Sequence, residues 1–151
     1  ADFTGVSKKT VERWERGKGR INGPVTVLVK ILEEDPQLFD YYRIPEKELP
    51  LRLWYMFRDK VCTIIDVDNR KRTVRIRNYT EKLLFRAFGR IEHPTFEQYE
   101  AFLESRCFPR SVDKDRIILK ELGIPFYDPF LIIQKTQGRM SEDEFWIRIE
   151  R

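Results

Sequence analysis

The chain has 151 residues, 41% of them hydrophobic and 36% charged, enough to bury a core as one domain or two small ones. No apolar run approaches the roughly 20 residues of a membrane-spanning helix, which excludes a membrane-embedded class and predicts a soluble protein with no membrane partner. The two cysteines, Cys62 and Cys107, fall in no CxxC spacing, so neither a disulfide framework nor a zinc ribbon is signalled, and a cytoplasmic setting is expected.

The chain opens with ADFTGVSKKTVERWERG, residues 1–17. Gly5 can take the positive φ of a tight turn and Ser7 can cap a helix in which Val11 and Trp14 share the inward face. Lys8, Lys9, Thr10, Arg13 and Arg16 stand on the opposite face. With Ala1 four before the turn glycine, the cap at Ser7, the two apolar positions and then Glu15 and Gly17, the stretch resembles the second half of a Cro/repressor-type (XRE, antitoxin-like) helix-turn-helix. The resemblance implies a recognition helix in the major groove of double-stranded DNA, with Ser7, Lys8, Lys9, Thr10, Arg13 and Arg16 toward base edges and phosphates. It also implies a homodimer, and about one to two further helices ahead of Ala1, so that the helix-turn-helix is expected to be truncated. The bland alternative is a cationic amphipathic pair of helices that contacts nothing.

Lys18 to Gly23 reads as a polar loop, and Asn22-Gly23-Pro24 opens a helix with a cap and an early proline. Val25, Leu28, Val29, Ile31 and Leu32 are its expected buried stripe, ending before Asp35-Pro36, and PQLFDYY is a short helix after it. The run NGPVTVLVKILEEDPQLFDYY is similar to the closing helices of the same repressor family. The first domain is therefore placed at 1–43, with 44–50 as a two-proline linker and a second domain over 51–151.

Beyond the linker the period changes to two. Leu51, Leu53, Tyr55 and Phe57 alternate with Arg52, Trp54, Met56 and Arg58 as in a strand; VCTIIDV and TVRIRN follow after polar turns, which predicts an antiparallel meander. Covering helices are expected from Thr80 to Phe88, from the Thr95 cap through PTFEQYEAFLESRCF, from Ser111 to Leu122, and over DPFLIIQKTQG to a stop at Gly138. SEDEFWIRIER reads as a helix from Ser141 or as a last strand with Phe145, Ile147 and Ile149 on one face; the strand, added to the meander, is preferred. The fold class is α+β: a truncated helix-turn-helix domain followed by a small antiparallel sheet covered by helices.

Chemistry is sparse. His93 is the only histidine, there is no GxxxxGK[ST], GxGxxG or GxSxG, and no catalytic residue, metal centre or cofactor is expected. A Cys107–His93 nucleophile pair loses to the simpler reading of a small cysteine at a helix end. Asp66, Asp68 and Glu81 around magnesium would make a nuclease, but Asp68-Asn69 is ordinary turn chemistry and a solvated hairpin tip is the stronger reading. Glu142, Asp143 and Glu144 read as capping or solvating a terminal segment.

Net charge is only +4, unevenly spread: residues 1–30 carry seven bases against three acids, residues 51–78 eight against three, and residues 31–50 six acids against two bases. Two basic blocks suit contact with a polyanion. In the second, Arg70, Lys71 and Arg72 at a turn with Arg75 and Arg77 alternating beyond it would form a cationic ridge close to Arg52 and Arg58, for nucleic acid or a partner. Tracking phosphates and blunting an exposed sheet edge are equal readings of it. Most of the aromatic residues of this domain are expected in its core, with some left as protein-binding anchors beside Arg106, Arg110 and Arg139.

The segments NYTEKLLFRAFG, FLESRCFPRSVDK, IPFYDPFLIIQKTQGRM and EFWIRI resemble C-terminal modules fused to helix-turn-helix segments in mobile elements such as phage. Such fusions look like antitoxins and like type II-A anti-CRISPR proteins. The resemblance implies a non-enzymatic DNA-binding protein that represses its own promoter, while its second domain binds and inhibits a protein partner, an RNA-guided nuclease or a toxin. Two alternatives stand: a plain ligand-responsive transcriptional repressor, with a pocket among the C-terminal aromatics, and a metal-dependent nuclease that needs Asp66.

Overall fold

The computed structural model describes residues 5–21, 23–35, 38, 42–110 and 114–151. The chain divides into two compact units, Ala1–Ile44 and Pro45–Arg151. Together they hold five α-helices and one four-stranded antiparallel sheet among the described residues, an α+β protein. No helix there is long and apolar enough to cross a membrane.

In the first unit, helix α1 spans Lys8–Glu15 and helix α2 spans Pro24–Glu34. Gly5 takes φ +64 ahead of α1. Gly23, at φ +69, is the N-cap of α2 and Pro24 fills its first turn, where a missing N–H costs nothing. Neither helix holds a fully buried residue. Val25, Leu28, Val29 and Leu32 are half-buried on one stripe of α2, but Ile31, expected with them, stands off that stripe and is 44% exposed. Ala1, Asn22 and most of PQLFDYY lie outside the described residues.

In the second unit, β1 (Leu51–Phe57), β2 (Lys60–Asp68), β3 (Thr73–Asn78) and β4 (Phe145–Glu150) pair in the order β3-β2-β1-β4. The meander β1–β2–β3 forms in the expected order, but β1 and β2 are buried on both faces, Arg52, Trp54 and Met56 included. The last strand adds to the free side of β1, with Leu53 opposite Ile149 and Tyr55 opposite Ile147. Both hairpin turns close on a left-handed arginine, Arg58 at φ +53 and Arg72 at φ +51. Leu51, Leu53, Tyr55, Ile65, Val67 and Ile147 put one sheet face into the core. Helix α3 (Phe96–Ser105) packs there through Tyr99, Phe102 and Leu103. Helix α4 (Asp115–Leu122) contributes Leu119 and Leu122 at the margin, and helix α5 (Pro129–Thr136) contributes Ile132 and Ile133. Tyr55 stacks on Phe145 with centroids 5.0 Å apart and meets Phe102 edge-on at 5.1 Å.

The helix expected from Thr80 to Phe88 is instead a 3-10 turn at Leu83–Phe85. Thr80 does accept from Lys82 N (3.2 Å) as a cap would, but further on Ala87 N is taken by Thr63 Oγ1 (3.1 Å), while Phe85 turns in against Phe57 at 4.7 Å. Ser111, the expected cap of α4, lies outside the described residues. Helix α5 is capped by Asp128, and it is Gln137, at φ +56, that ends it, one residue before the expected Gly138. Gly138 is needed for space as well: a Cβ there would meet Ile147 Cδ1 at 3.2 Å and Arg106 Cβ at 3.3 Å.

Thr95 and Gln98 form a reciprocal capping box on α3, with Gln98 N to Thr95 Oγ1 at 3.2 Å and Thr95 N to Gln98 Oε1 at 2.9 Å. Thr95→Ala is expected to lower the stability of this unit by about 1 kcal/mol and Thr95→Ser by much less, read as a shift in urea midpoint. Equal midpoints for the two variants would show that the box is not what starts α3.

Candidate functional site

The first candidate surface is α1. Its Ser7 cap is extended (φ −62, ψ 145), and Ser7 Oγ accepts from Thr10 N at 3.3 Å. Thr10 is half-buried with its hydroxyl 2.8 Å from Ser7 Oγ, and Val11 and Trp14 are half-buried as expected for the inward side. Lys8, Lys9, Arg13 and Arg16 are exposed, and none makes an ion pair with a described residue. Lys9 and Arg13 lie one turn apart. Arg16 follows as the C-cap, so it extends the basic surface past the end of the helix. No acid occupies the first turn of α1, where Lys8 and Lys9 sit at the positive end of the helix dipole.

The second is the cationic ridge, and here the structure regroups the residues. Asp68 Oδ1 accepts from Arg70 N and Lys71 N at 2.9 and 3.0 Å, fixing the turn and exposing both side chains. Arg72 is tied to α3: it pairs with Glu97 at 2.9 Å and Glu100 at 3.5 Å, and its guanidinium lies 4.3 Å from the Phe96 ring centroid. Arg75 pairs with Glu48 at 2.7 Å. Arg70, Lys71 and Arg77 are thus the ridge cations with no ion pair to a described residue.

Arg52 and Arg58 do not join them. Arg58 sits at the other hairpin turn and pairs with Glu144 at 2.6 Å. Arg52 is 3% exposed: its Nε and Nη2 donate to the two carboxylate oxygens of Asp66 at 2.6 and 2.7 Å, and its Nη1 and Nη2 to the carbonyls of Pro45 and Glu46 at 2.6 and 3.1 Å. The stretch 44–50, read as a linker, is tied to the sheet by these bonds. The hydrogen bond to Asp66 raises the Arg52 pKa against the cost of burial. Asp66 and Asp68 are both buried, one held by Arg52 and one by the turn amides, while the turn itself, residues 69–72, is exposed as a solvated tip with Asp68 supplying its turn chemistry. Among the described residues no group of three or more His, Cys, Asp or Glu is placed to hold a metal ion.

Cys107 and His93 do not form a pair either. His93 is exposed, whereas Cys107 is buried with its Sγ donating to Leu103 O at 3.3 Å. Burial, with Glu104 and Asp128 nearby, pushes the thiol up to about 12, so it stays protonated at neutral pH. Arg106, expected beside exposed aromatic anchors, is 7% exposed instead. It donates to Gly138 O (3.0 and 2.8 Å), to both oxygens of Asp143 (2.7 and 3.0 Å) and to Phe145 O (3.0 Å). The Arg106 hydrogen bond holds the Asp143 carboxyl below the usual carboxylate range. Asp143 Oδ1 also accepts from Phe145 N at 3.0 Å, the capping role expected of it at the start of the terminal strand, and adds to this the pair with Arg106. Arg110 and Arg139 do lie over aromatic rings, Tyr127 at 4.5 Å and Trp146 at 4.9 Å.

Sequence reasoning passed over the acids of α3. Glu97, Glu100 and Glu104 are spaced three and four apart, which puts them on one helix face, and all three are exposed. The 3.6-residue period of those acids was the available signal. Compared with known proteins, the chain matches no family model, no curated protein and no solved structure.

Proposed function

We propose that this chain is a non-enzymatic helix-turn-helix protein of the mobile-element type, in which α1 reads double-stranded DNA and the 45–151 unit captures a protein partner, an RNA-guided nuclease or a toxin. The observation that carries it is the charge layout of α1. Lys8 and Lys9 occupy the positive end of the helix dipole with no acid in the first turn, and the exposed Arg13 and Arg16 extend the same charge. That arrangement is unfavourable in isolation and is relieved by an external anion such as a phosphate. Ser7 supports the reading, because its cap fixes where α1 starts, as the helix-turn-helix resemblance requires. The protein represses its own promoter through this helix and pairs as a homodimer on the site.

The test is fluorescence anisotropy of the full chain on a duplex from its own upstream region, repeated across salt concentrations. Lys9→Ala and Arg13→Ala are each expected to weaken binding by about tenfold, and each phosphate contact removed should lower the salt slope by about one. Unchanged affinity and slope in both variants would sink α1 as the reading helix. Partner capture is tested separately, by adding the protein in stoichiometric steps to a DNA-cleavage reaction of a reconstituted type II RNA-guided nuclease. Inhibition saturating near one equivalent is the expected result. Full cleavage at large excess would remove that nuclease as the partner.

A further inference from the structure

A cleft of about 420 Å3 opens between α3 and the start of α5, with Asn69 of the β2–β3 turn at its border. Its apolar lining is Phe96, Tyr99, Leu103, Pro129, Phe130 and Leu131, of which Tyr99 and Leu103 are anchored in the core. Its charged lining is Glu100 and Glu104, one turn apart on α3, and Asp128 on the α5 side; among the described residues no basic one lines it. Beyond the effect of burial, Glu100 and Asp128 both push the Tyr99 phenol up, and Glu104 and Asp128 do the same to the Cys107 thiol. Asp128 Oδ1 accepts from Leu131 N at 2.9 Å, so the N-terminus of α5 is already capped and is not offered to an anion.

The chain's own arginines on either side show what this surface accepts. Arg72 lies over Phe96 and pairs with Glu97 and Glu100. Arg110 lies over Tyr127 with Glu104 at 3.7 Å. Each guanidinium has an aromatic face beneath it and a carboxylate beside it. The cleft between them shares Phe96 and Glu100 with the first arrangement and Glu104 with the second, and adds Tyr99, Phe130 and Asp128. The Glu100 and Glu104 pairs are long, at 3.5 and 3.7 Å, and join half-exposed side chains that exchange partners readily.

We infer that this cleft seats an arginine side chain presented by the protein partner, stacked on the aromatic floor and paired with Glu100, Glu104 and Asp128. The inference rests on the partner-capture reading above and names its chemistry: the matching surface is basic, as nucleic-acid-binding proteins are. Arginine is favoured over lysine because its planar guanidinium stacks on a ring while its edge meets a carboxylate. Phosphates are repelled by the three acids, so this cleft does not belong to the DNA-binding surface.

The probe is Nα-acetyl-arginine methylamide, titrated into the full chain and followed by 15N–1H correlation spectra, with the isosteric neutral citrulline amide as control. Saturable shifts confined to residues 96–104 and 128–131 are expected, with binding of citrulline weaker by at least about tenfold. E100Q/E104Q, at exposed positions, and D128N, which keeps the cap, should each reproduce the parent spectrum away from the cleft and lose at least about tenfold in affinity for arginine. Equal binding of citrulline, shifts scattered over the surface, no shifts at tens of millimolar, or unchanged affinity in the variants would overturn the inference. The probe needs no partner, so its outcome is separate from the cleavage titration. A nuclease inhibited equally by the parent and by E100Q/E104Q would leave the proposed function standing and remove the arginine seat.

Discussion

Arg106→Met is expected to lower the stability of the 45–151 unit by about 3 kcal/mol, at the lower end of what breaking a buried charge pair costs. Arg106 holds together the end of α3, the loop after α5 and the start of β4, through Gly138 O, Asp143 and Phe145 O. Methionine keeps much of the apolar stem but leaves two carbonyls and a carboxylate without their donor. The Asp143 side chain is 29% exposed, and water relieves part of that loss, which is why the lower end applies. The effect carries a pH signature. Asp143 is held below its ordinary value of 3.8 in the folded chain, so its contribution is fully present above the ordinary carboxylate range and disappears as pH falls through that range toward the folded value. The parent should therefore lose stability below about pH 4 more steeply than Arg106→Met. Urea titrations at neutral and acid pH, read from the sheet amides by NMR, measure both effects. Parallel pH profiles would show that the Arg106–Asp143 pair does not couple to folding.

Arg52→Ala is expected to cost about 3–5 kcal/mol, the larger of the two losses, because the Asp66 side chain it leaves behind is 10% exposed against 29% for Asp143, so water relieves less of the loss. The double variant Arg52→Met/Asp66→Leu should recover most of that loss, since removing both charges also removes the desolvation they require. The two singles and the double form a cycle whose interaction energy isolates the pair. A loss under about 1 kcal/mol in Arg52→Ala would place the pair with ordinary surface bridges. The same bond set bears on the nuclease alternative: Asp66→Ala strands the Arg52 guanidinium, so any activity lost in that variant must be separated from unfolding before a metal role is assigned.

The strands were legible because alternation survives in the bare sequence from Leu51 to Phe57 and in TVRIRN, and because VCTIIDV is rich in β-branched residues. Helices α3 and α5 were legible because Thr95 and Asp128 mark their starts chemically, and both cap in the structure. The Thr80–Phe88 segment misled because its competitor for backbone donors, Thr63, lies 24 positions upstream of Ala87 on another strand. The same distance in sequence concealed which arginines are structural. Arg52 and Asp66 are 14 apart and Arg106 and Asp143 are 37 apart, and nothing local distinguishes a paired guanidinium from a free one. For the candidate surfaces, the exposure of Lys8, Lys9, Arg13 and Arg16 follows from the helical period. The neutralisation of Arg72 and Arg75 depends on Glu97, Glu100 and Glu48, which only tertiary structure brings near.

The position of β4 beside β1 has a kinetic consequence. The meander is local and can form as soon as residues 51–78 are synthesised, but the other side of β1 meets its partner only when residues 145–150 arrive; the Trp54–Glu150 bond spans 96 positions. At ordinary elongation rates that wait is on the order of ten seconds. During it, an apolar strand presents unpaired backbone groups to any neighbouring nascent chain. The late-closing strand thus makes the interval between synthesis of β1 and synthesis of β4 a step open to misassembly and to chaperone binding, and refolding is expected to be limited by docking of that strand rather than by the meander.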